Sequence, residues 1–258
     1  MNDTPSLLEN RLKILYDQEK ISTGHFDCKN RGVCEKAAGK TVLSRGSEAY
    51  VGARYGTVLK VVILSPDASG ASLDLSVRRE SAVSWEGDGG ATYMNAILHL
   101  VQKLLAKEVS GQPLHHYFAM IESAKCSSSL EGAPEPLHNI CQSFARSELI
   151  ALEPDLVVTI GKRTQPVLSE FPTRDVDVNG LLTLANEAGD TQVFDFNTLD
   201  WLTTVSARYL SGLSIGEHNA IALHVPRPSD PAWEQFSQLH LPVCAWLVRE
   251  LVSRQGKQ

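Results

Sequence analysis

The chain has no apolar run approaching the roughly 18 residues needed to cross a bilayer. Its first residues, Met-Asn-Asp-Thr-Pro-Ser, form neither a basic stretch nor an apolar core, so neither a spanning helix nor a secretory leader is expected. The reading is a cytoplasmic protein with no membrane partner. Positive charge is also scarce: 24 Lys and Arg stand against 30 Asp and Glu, for a net charge of −6. That argues against a protein that coats nucleic acid nonspecifically, since such affinity comes from neutralising phosphates. A local basic face stays open, with candidates Arg78, Arg79, Lys162, Arg163 and Arg227 in or beside predicted loops. No internal repeat recurs, and 258 residues with 43% hydrophobic and 21% charged content fit one compact domain.

Apolar spacing predicts a helix over Leu7 to Glu19, with Leu8, Leu12 and Leu15 on one face. Val58 to Leu64 (VLKVVIL) and Asp155 to Ile160 (DLVVTI) read as buried strands, the first ended by Ser65-Pro66 and the second closed by Gly161. Further strands are expected near Tyr117 to Ile121 and over His218 to Val225. Helices are expected over Thr92 to Lys107, Pro136 to Leu152 and Trp233 to Val252, the last despite Pro242, with a short helical stretch reaching Leu168. Strands alternating with helices imply an α/β fold, with a mostly parallel sheet covered on both faces. The region 171–217 reads as an insertion with a strand at Gln192 to Phe196, and 1–57 as an N-terminal helix and cysteine loop.

In a sheet of this kind ligands bind outside the carboxyl ends of the strands. Three such ends carry unusual residues: Ser65 to Gly70, Glu122 with Cys126, and His224-Val225-Pro226-Arg227-Pro228-Ser229. The active site is expected there.

Five cysteines in a reducing compartment point to metal or cluster ligation before disulfides. Cys28 and Cys34 form C-x5-C in the N-terminal loop, and Cys126 and Cys141 form C-x14-C between a strand end and a helix. Four thiolates can close a tetrahedral zinc site or hold an iron–sulfur cubane, and spacing alone leaves both open. Cys244, inside the last apolar helix, reads as core.

Several segments, taken in order, resemble the iron–sulfur uracil-DNA glycosylases known as families 4 and 5. Ala124-Lys125-Cys126, then Pro134 through Cys141, then Glu153-Pro154-Asp155 through Gly161 look like that family's lysine-cysteine pair, second cysteine and Pro-x-(apolar)-Gly strand end. Trp85-Glu86-Gly87-Asp88-Gly89-Gly90 looks like its aromatic-x-Gly-x-x-Gly motif, and His224 to Ser229 like its His-Pro-Ser loop. Ile63-Leu64-Ser65-Pro66-Asp67 stands where the family has its water-activating Gly-x-x-Pro-Gly motif. The likeness spans most of residues 25 to 230. It implies a single uracil-DNA glycosylase-like domain over 1–258 with a central four-stranded sheet flanked by helices. It also implies a structural [4Fe-4S] cluster on Cys28, Cys34, Cys126 and Cys141, with zinc as the alternative.

The resemblance assigns roles position by position. Trp85 matches the aromatic that stacks on the flipped base, and His224 matches the histidine that stabilises the leaving base and the oxocarbenium-like sugar. Arg227 lies in the loop that enters the duplex, and Lys162 and Arg163 are candidate DNA contacts. Two departures carry information. Glu122 replaces an Asn that reads uracil; a carboxylate has no N–H for O4 of uracil but accepts from the exocyclic amine of cytosine. Leu64 and Ser65 replace the residue that positions water, leaving Asp67 as the nearest carboxylate. Ser65 is retained as a base-binding candidate.

A reader of cytosine needs a second discriminator to spare its own genome, most simply a substituent on C5. A resemblance to members of the same superfamily that excise modified cytosines implies a monofunctional DNA glycosylase acting on a modified cytosine, such as glucosylated hydroxymethylcytosine of phage DNA, in antiviral defence. It needs DNA and no obligatory protein partner. A repair glycosylase for uracil or another deaminated base, and a noncatalytic metal-stabilised DNA-binding module, are the rival readings.

Overall fold

The computed structural model describes residues 5–22, 25–39, 43, 46–67, 82, 92–105, 109, 113–126, 133–187 and 199–255. Helix α1 (Pro5–Gln18) buries Leu8, Leu12 and Tyr16, spaced four apart on one stripe. Leu15, expected on that stripe, is only half-buried, one residue off the line. After α2 (Arg31–Ala38) and β1 (Tyr50–Val51) comes β2 (Val61–Asp67). This strand starts and ends three residues later than its apolar run suggests. Asp155 anchors its start by accepting the Lys60 N–H at 2.8 Å. Pro66 is tolerated near its end because the β4 ladder stops at Leu64↔Thr159, leaving β2 paired on one side.

The remaining elements are α3 (Thr92–Leu105), β3 (Phe118–Ala124), α4 (Glu135–Leu152), β4 (Leu156–Ile160), β5 (Thr173–Arg174), α5 (Val178–Glu187), α6 (Leu199–Tyr209), β6 (Leu210–Ile215), β7 (His218–Val225), α7 (Ala232–Gln235) and α8 (Leu241–Gln255). A π-helical stretch, Phe236–His240, joins the last two without a break, the Leu241 N–H bonding to the Phe236 carbonyl, and Pro242, which has no N–H to donate, follows this widened turn directly.

The fold is α/β, built, among the described residues, on one seven-stranded sheet in the order β1-β3-β2-β4-β7-β6-β5. The expected four-stranded sheet is thus too small. Four central strands, β3, β2, β4 and β7, do run parallel, and antiparallel strands extend them on both sides. Segment 171–217 supplies two of those added strands, β5 and β6, and helices α5 and α6. Its expected strand at Gln192 to Phe196 lies outside the described residues.

Helices cover both faces, as the buried, β-branched central strands require. On one face Val61, Ile63, Val158 and Leu223 pack with Ile97 and Leu100 of α3 and Leu247 and Val248 of α8. On the other, Val62, Leu64, Val157 and Ala222 pack with Leu8 and Leu12 of α1 and Phe144 and Leu149 of α4. That second layer also holds a polar seam: Tyr16 Oη donates to Glu148 Oε1 at 2.6 Å and accepts the Ala49 N–H at 2.7 Å. Glu148 in turn is ion-paired with Lys125, and both are fully buried.

Candidate functional site at the carboxyl ends of the parallel strands

The four parallel strands end side by side, so register decides which side chains meet. Ser65 of β2 stands opposite Glu122 of β3, and Asp67 opposite Ala124. Ser65 and Glu122 are buried, at 1% and 0% exposure. The Tyr93 hydroxyl of α3 lies next to Ser65, close enough to interact electrostatically with Glu122, Asp67 and Arg227. Ser65 Oγ and Tyr93 Oη are both buried side by side, and neither has another hydrogen-bond partner among the described residues. Buried hydroxyls are normally satisfied, so two orphans facing one place mark a spot prepared for polar atoms from elsewhere. Burial, the largest influence, raises the Tyr93 phenol's pKa, so it stays a donor.

Asp67 is half-buried at the tip of β2, and its Oδ2 accepts the Ala133 N–H at 3.2 Å just before α4. The Ala133 carbonyl accepts from Arg163 Nη1 at 3.4 Å. Arg163 and Lys162 are exposed in the turn after β4, and Arg227 is exposed in the loop after β7. That turn needs Gly161: its φ is +76°, and an added Cβ would lie 2.8 Å from Arg227 Cγ. The close approach draws the Arg227 stem over the strand ends and forms a cationic rim of two arginines and a lysine.

On the other side of the same edge, His224 of β7 stands opposite Thr159 of β4. Thr159 Oγ1 is 2.8 Å from His224 Nδ1, and Ser211 Oγ of β6 is 3.1 Å from Nε2. Burial lowers the His224 pKa, so the ring is neutral at pH 7. On β3, separated from β7 by β2 and β4, Ser123 forms a second pair with His138 of α4, Ser123 Oγ lying 2.7 Å from Nδ1.

The thiols of Cys28, Cys34, Cys126 and Cys141 belong to one electrostatic group, brought together from the N-terminal loop, α2, the end of β3 and α4. None is in a disulfide. Burial pushes Cys126 up to about 11 and Cys141 to about 12, values that suit thiols kept from water. Arg31 partly offsets this at Cys126, its Nη1 lying 3.6 Å from the sulfur, and the Lys125 backbone N–H does so at Cys141. Among the described residues, no three His, Cys, Asp or Glu side chains are grouped closely enough to hold a single metal ion. Cys244 sits apart in the core with α8, where it was expected.

Of the residues singled out in the sequence, Ser65, Glu122 and Asp67 share the α3/α8 face at the carboxyl ends, with Arg227 within electrostatic reach. Lys162, Arg163 and Arg227 follow β4 and β7 at the same ends, whereas His224, in register with Thr159, faces the α1/α4 side and is not brought to Ser65 and Glu122. Trp85, Arg78, Arg79 and the aromatic-x-Gly-x-x-Gly segment lie outside the described residues. Described clefts lined by Arg174, Asp177 and Arg254, and by Leu59, Leu104 and Arg249, share no residue with this group. Sequence reasoning missed Tyr93, Ser123, His138, Thr159 and Ser211. His138 had one available signal, a position three residues before Cys141 that puts it on the same inward helical face.

No protein-family model matches the chain. No curated protein matches it either. The functional reading therefore stands on the site and on the motifs.

Proposed function

We propose that this chain is a monofunctional DNA glycosylase that hydrolyses the N-glycosidic bond of a C5-modified cytosine flipped out of DNA, leaving an abasic site. The observation that carries this reading is the pair of orphaned buried hydroxyls, Ser65 and Tyr93, beside Glu122 and Asp67 at the carboxyl ends of parallel strands. Such a place takes a small polar heterocycle removed from its stack, and the rim of Lys162, Arg163 and Arg227 would meet the phosphates on either side.

Each group has a task. Glu122 accepts from the cytosine amine, and Ser65 and Tyr93 supply donors to the ring carbonyl or to the C5 substituent. Asp67 places a carboxylate beside the sugar as positive charge develops at C1′, as carboxylates do in glycoside hydrolysis. His224, neutral and held between two hydroxyls, hydrogen-bonds the departing base when Ser211 yields its place at Nε2. Trp85 is the proposed stacking face.

Cys28, Cys34, Cys126 and Cys141 fit a four-thiolate [4Fe-4S] centre: four free thiols from separate segments within electrostatic reach of one another, with a guanidinium and an N–H directed at two of the sulfurs. When bound, that centre supplies cross-linking of α2, β3 and α4 and takes no part in the bond cleavage. The activity resembles that of the bacteriophage replication inhibition DNA glycosylase, a member of the uracil-DNA glycosylase superfamily, and fits antiviral defence in the cytoplasm.

The test is incubation with duplexes bearing uracil, hydroxymethylcytosine or its glucosylated form, followed by alkaline cleavage at abasic sites. Strand breaks are expected only with the modified cytosines. Cleavage at uracil alone would return the protein to base repair, and binding without cleavage would make it a DNA-binding module.

A further inference from the structure

His138 and Ser123 form a buried pair whose hydrogen-bond polarity leaves little freedom. Ser123 Oγ lies 2.9 Å from the Pro66 carbonyl, which can only accept, so the single hydroxyl proton points there. Facing His138 at 2.7 Å, the same oxygen must then accept, and the proton of the imidazole is placed on Nδ1. In the neutral ring Nε2 is left with a bare lone pair. That atom is buried in a residue of 3% exposure and has no partner at hydrogen-bonding geometry among the described residues.

Charged groups face this ring from three elements: Asp67 at the end of β2, Arg163 in the turn after β4 and Arg227 in the loop after β7. All three belong to the strand-end site. Burial lowers the pKa of the imidazole, Asp67 and the nearby Ala133 backbone oppose the shift, and Arg163 and Arg227 add to it. The ring thus rests neutral at pH 7, with a carboxylate nearby to meet the charge it would gain on taking a proton. A lone pair kept dry and unsatisfied is a cost to the free protein with no structural return.

We infer that His138 is a catalytic general base, its Nε2 taking the proton of the water that attacks C1′ of the extruded nucleotide, with Ser123 as the residue that sets its tautomer. This rests on the glycosylase reading above. As the water oxygen bonds to C1′, the bond from C1′ to the base nitrogen breaks and its electron pair leaves with the base. The water proton passes to Nε2, and the imidazolium then gives it to the departed base. The sugar gains a hydroxyl, the base gains a hydrogen and nothing is oxidised. Asp67 stabilises the two transient cations, the sugar and the imidazolium.

The test uses single-turnover excision from a duplex carrying glucosylated hydroxymethylcytosine, between pH 5 and 8.5, with DNA affinity and thermal midpoint recorded for every variant. Wild type should lose rate at a pH below the ordinary histidine value of roughly 6.5, because burial lowers the pKa of this ring. His138→Gln should be about 10²-fold slower at pH 7.5 and lack this acid limb, with DNA affinity within about 2-fold. Ser123→Ala removes the acceptor that stabilises imidazolium, so its acid limb should move to lower pH with a smaller loss of rate. This second variant decides the matter if His138→Gln fails to fold. A wild-type rate and acid limb in either variant would overturn the role of His138 while leaving the glycosylase reading intact. A wild type that excises no base at all would remove both.

Discussion

Thr159 and His224 oppose one another on the β4–β7 ladder, and the threonine hydroxyl lies 2.8 Å from Nδ1 of the imidazole. Ser211 occupies the other nitrogen at 3.1 Å. A hydroxyl can donate or accept, so the ring keeps both bonds in either neutral tautomer. Its plane is held while its proton remains free to sit where a departing base needs it. His224→Ala is expected to lower the single-turnover rate by about 10², the usual loss when a positioned electrostatic group is removed. DNA affinity measured by anisotropy should change little. A parallel fall in affinity and rate would instead mark a contact to DNA or a damaged fold.

Stability should depend on pH in a specific window. Burial lowers the pKa of His138, His224 and His240 in the folded state. A depressed histidine binds fewer protons folded than unfolded, so its stability term is complete above the unfolded value of roughly 6.5. It is lost as pH falls from there through the lowered folded values. Urea midpoints should therefore decline between pH 7 and 5.5, before most carboxylates titrate. His224→Gln should flatten the decline, and midpoints constant over this range would contradict the assignment.

The thiol group predicts a visible property. Protein purified without oxygen should be brown and carry about four irons per chain. Cys126→Ser or Cys141→Ser should lose iron and stability together, since either change releases a tie between separate elements. Cys244→Ser should keep its iron, because Cys244 lies on α8 in the core, away from the other four thiols. Stoichiometric zinc without iron would replace the cluster in this account.

Glu122 is expected to set base identity by hydrogen-bond polarity. Cytosine offers a donor at N4 and an acceptor at N3, whereas uracil presents an acceptor at O4 and a donor at N3. A carboxylate buried beside Ser65 suits the first and opposes O4 of the second. Sites built on such bonds discriminate by roughly 10⁴. Glu122→Asn should weaken excision of the modified cytosine and let some uracil excision appear. Efficient uracil removal by the wild type would show that Glu122 does not read the base.

The parallel core was legible because DLVVTI and HNAIALHV are continuous apolar runs that only a strand covered on both faces can use. The added strands were not. β6 and β7 form a hairpin around Gly216-Glu217, with φ of +59° at the glycine and Ile215 paired to His218. That two-residue signal was present but masked by weak alternation in LSGLSI. The end of β2 was misplaced because the bonds that tolerate Pro66 come from tertiary partners, Ser123 and the one-sided ladder. Strand-end residues of the site could be listed from rules about parallel sheets. His138 and Tyr93 could not, since only helix packing reveals that they turn toward the same edge.

Among the described residues, both outermost strands of the sheet are very short: β1 covers Tyr50–Val51 and β5 covers Thr173–Arg174. An edge of two residues offers few unpaired N–H and C=O groups to another chain, and one of the two ends on an exposed arginine. Parallel pairing is slow to assemble because its contacts are distant in sequence. Short borders limit how far partly formed sheets can zip onto one another in that interval, so the protein should remain monodisperse through refolding at concentrations where long-edged α/β sheets aggregate.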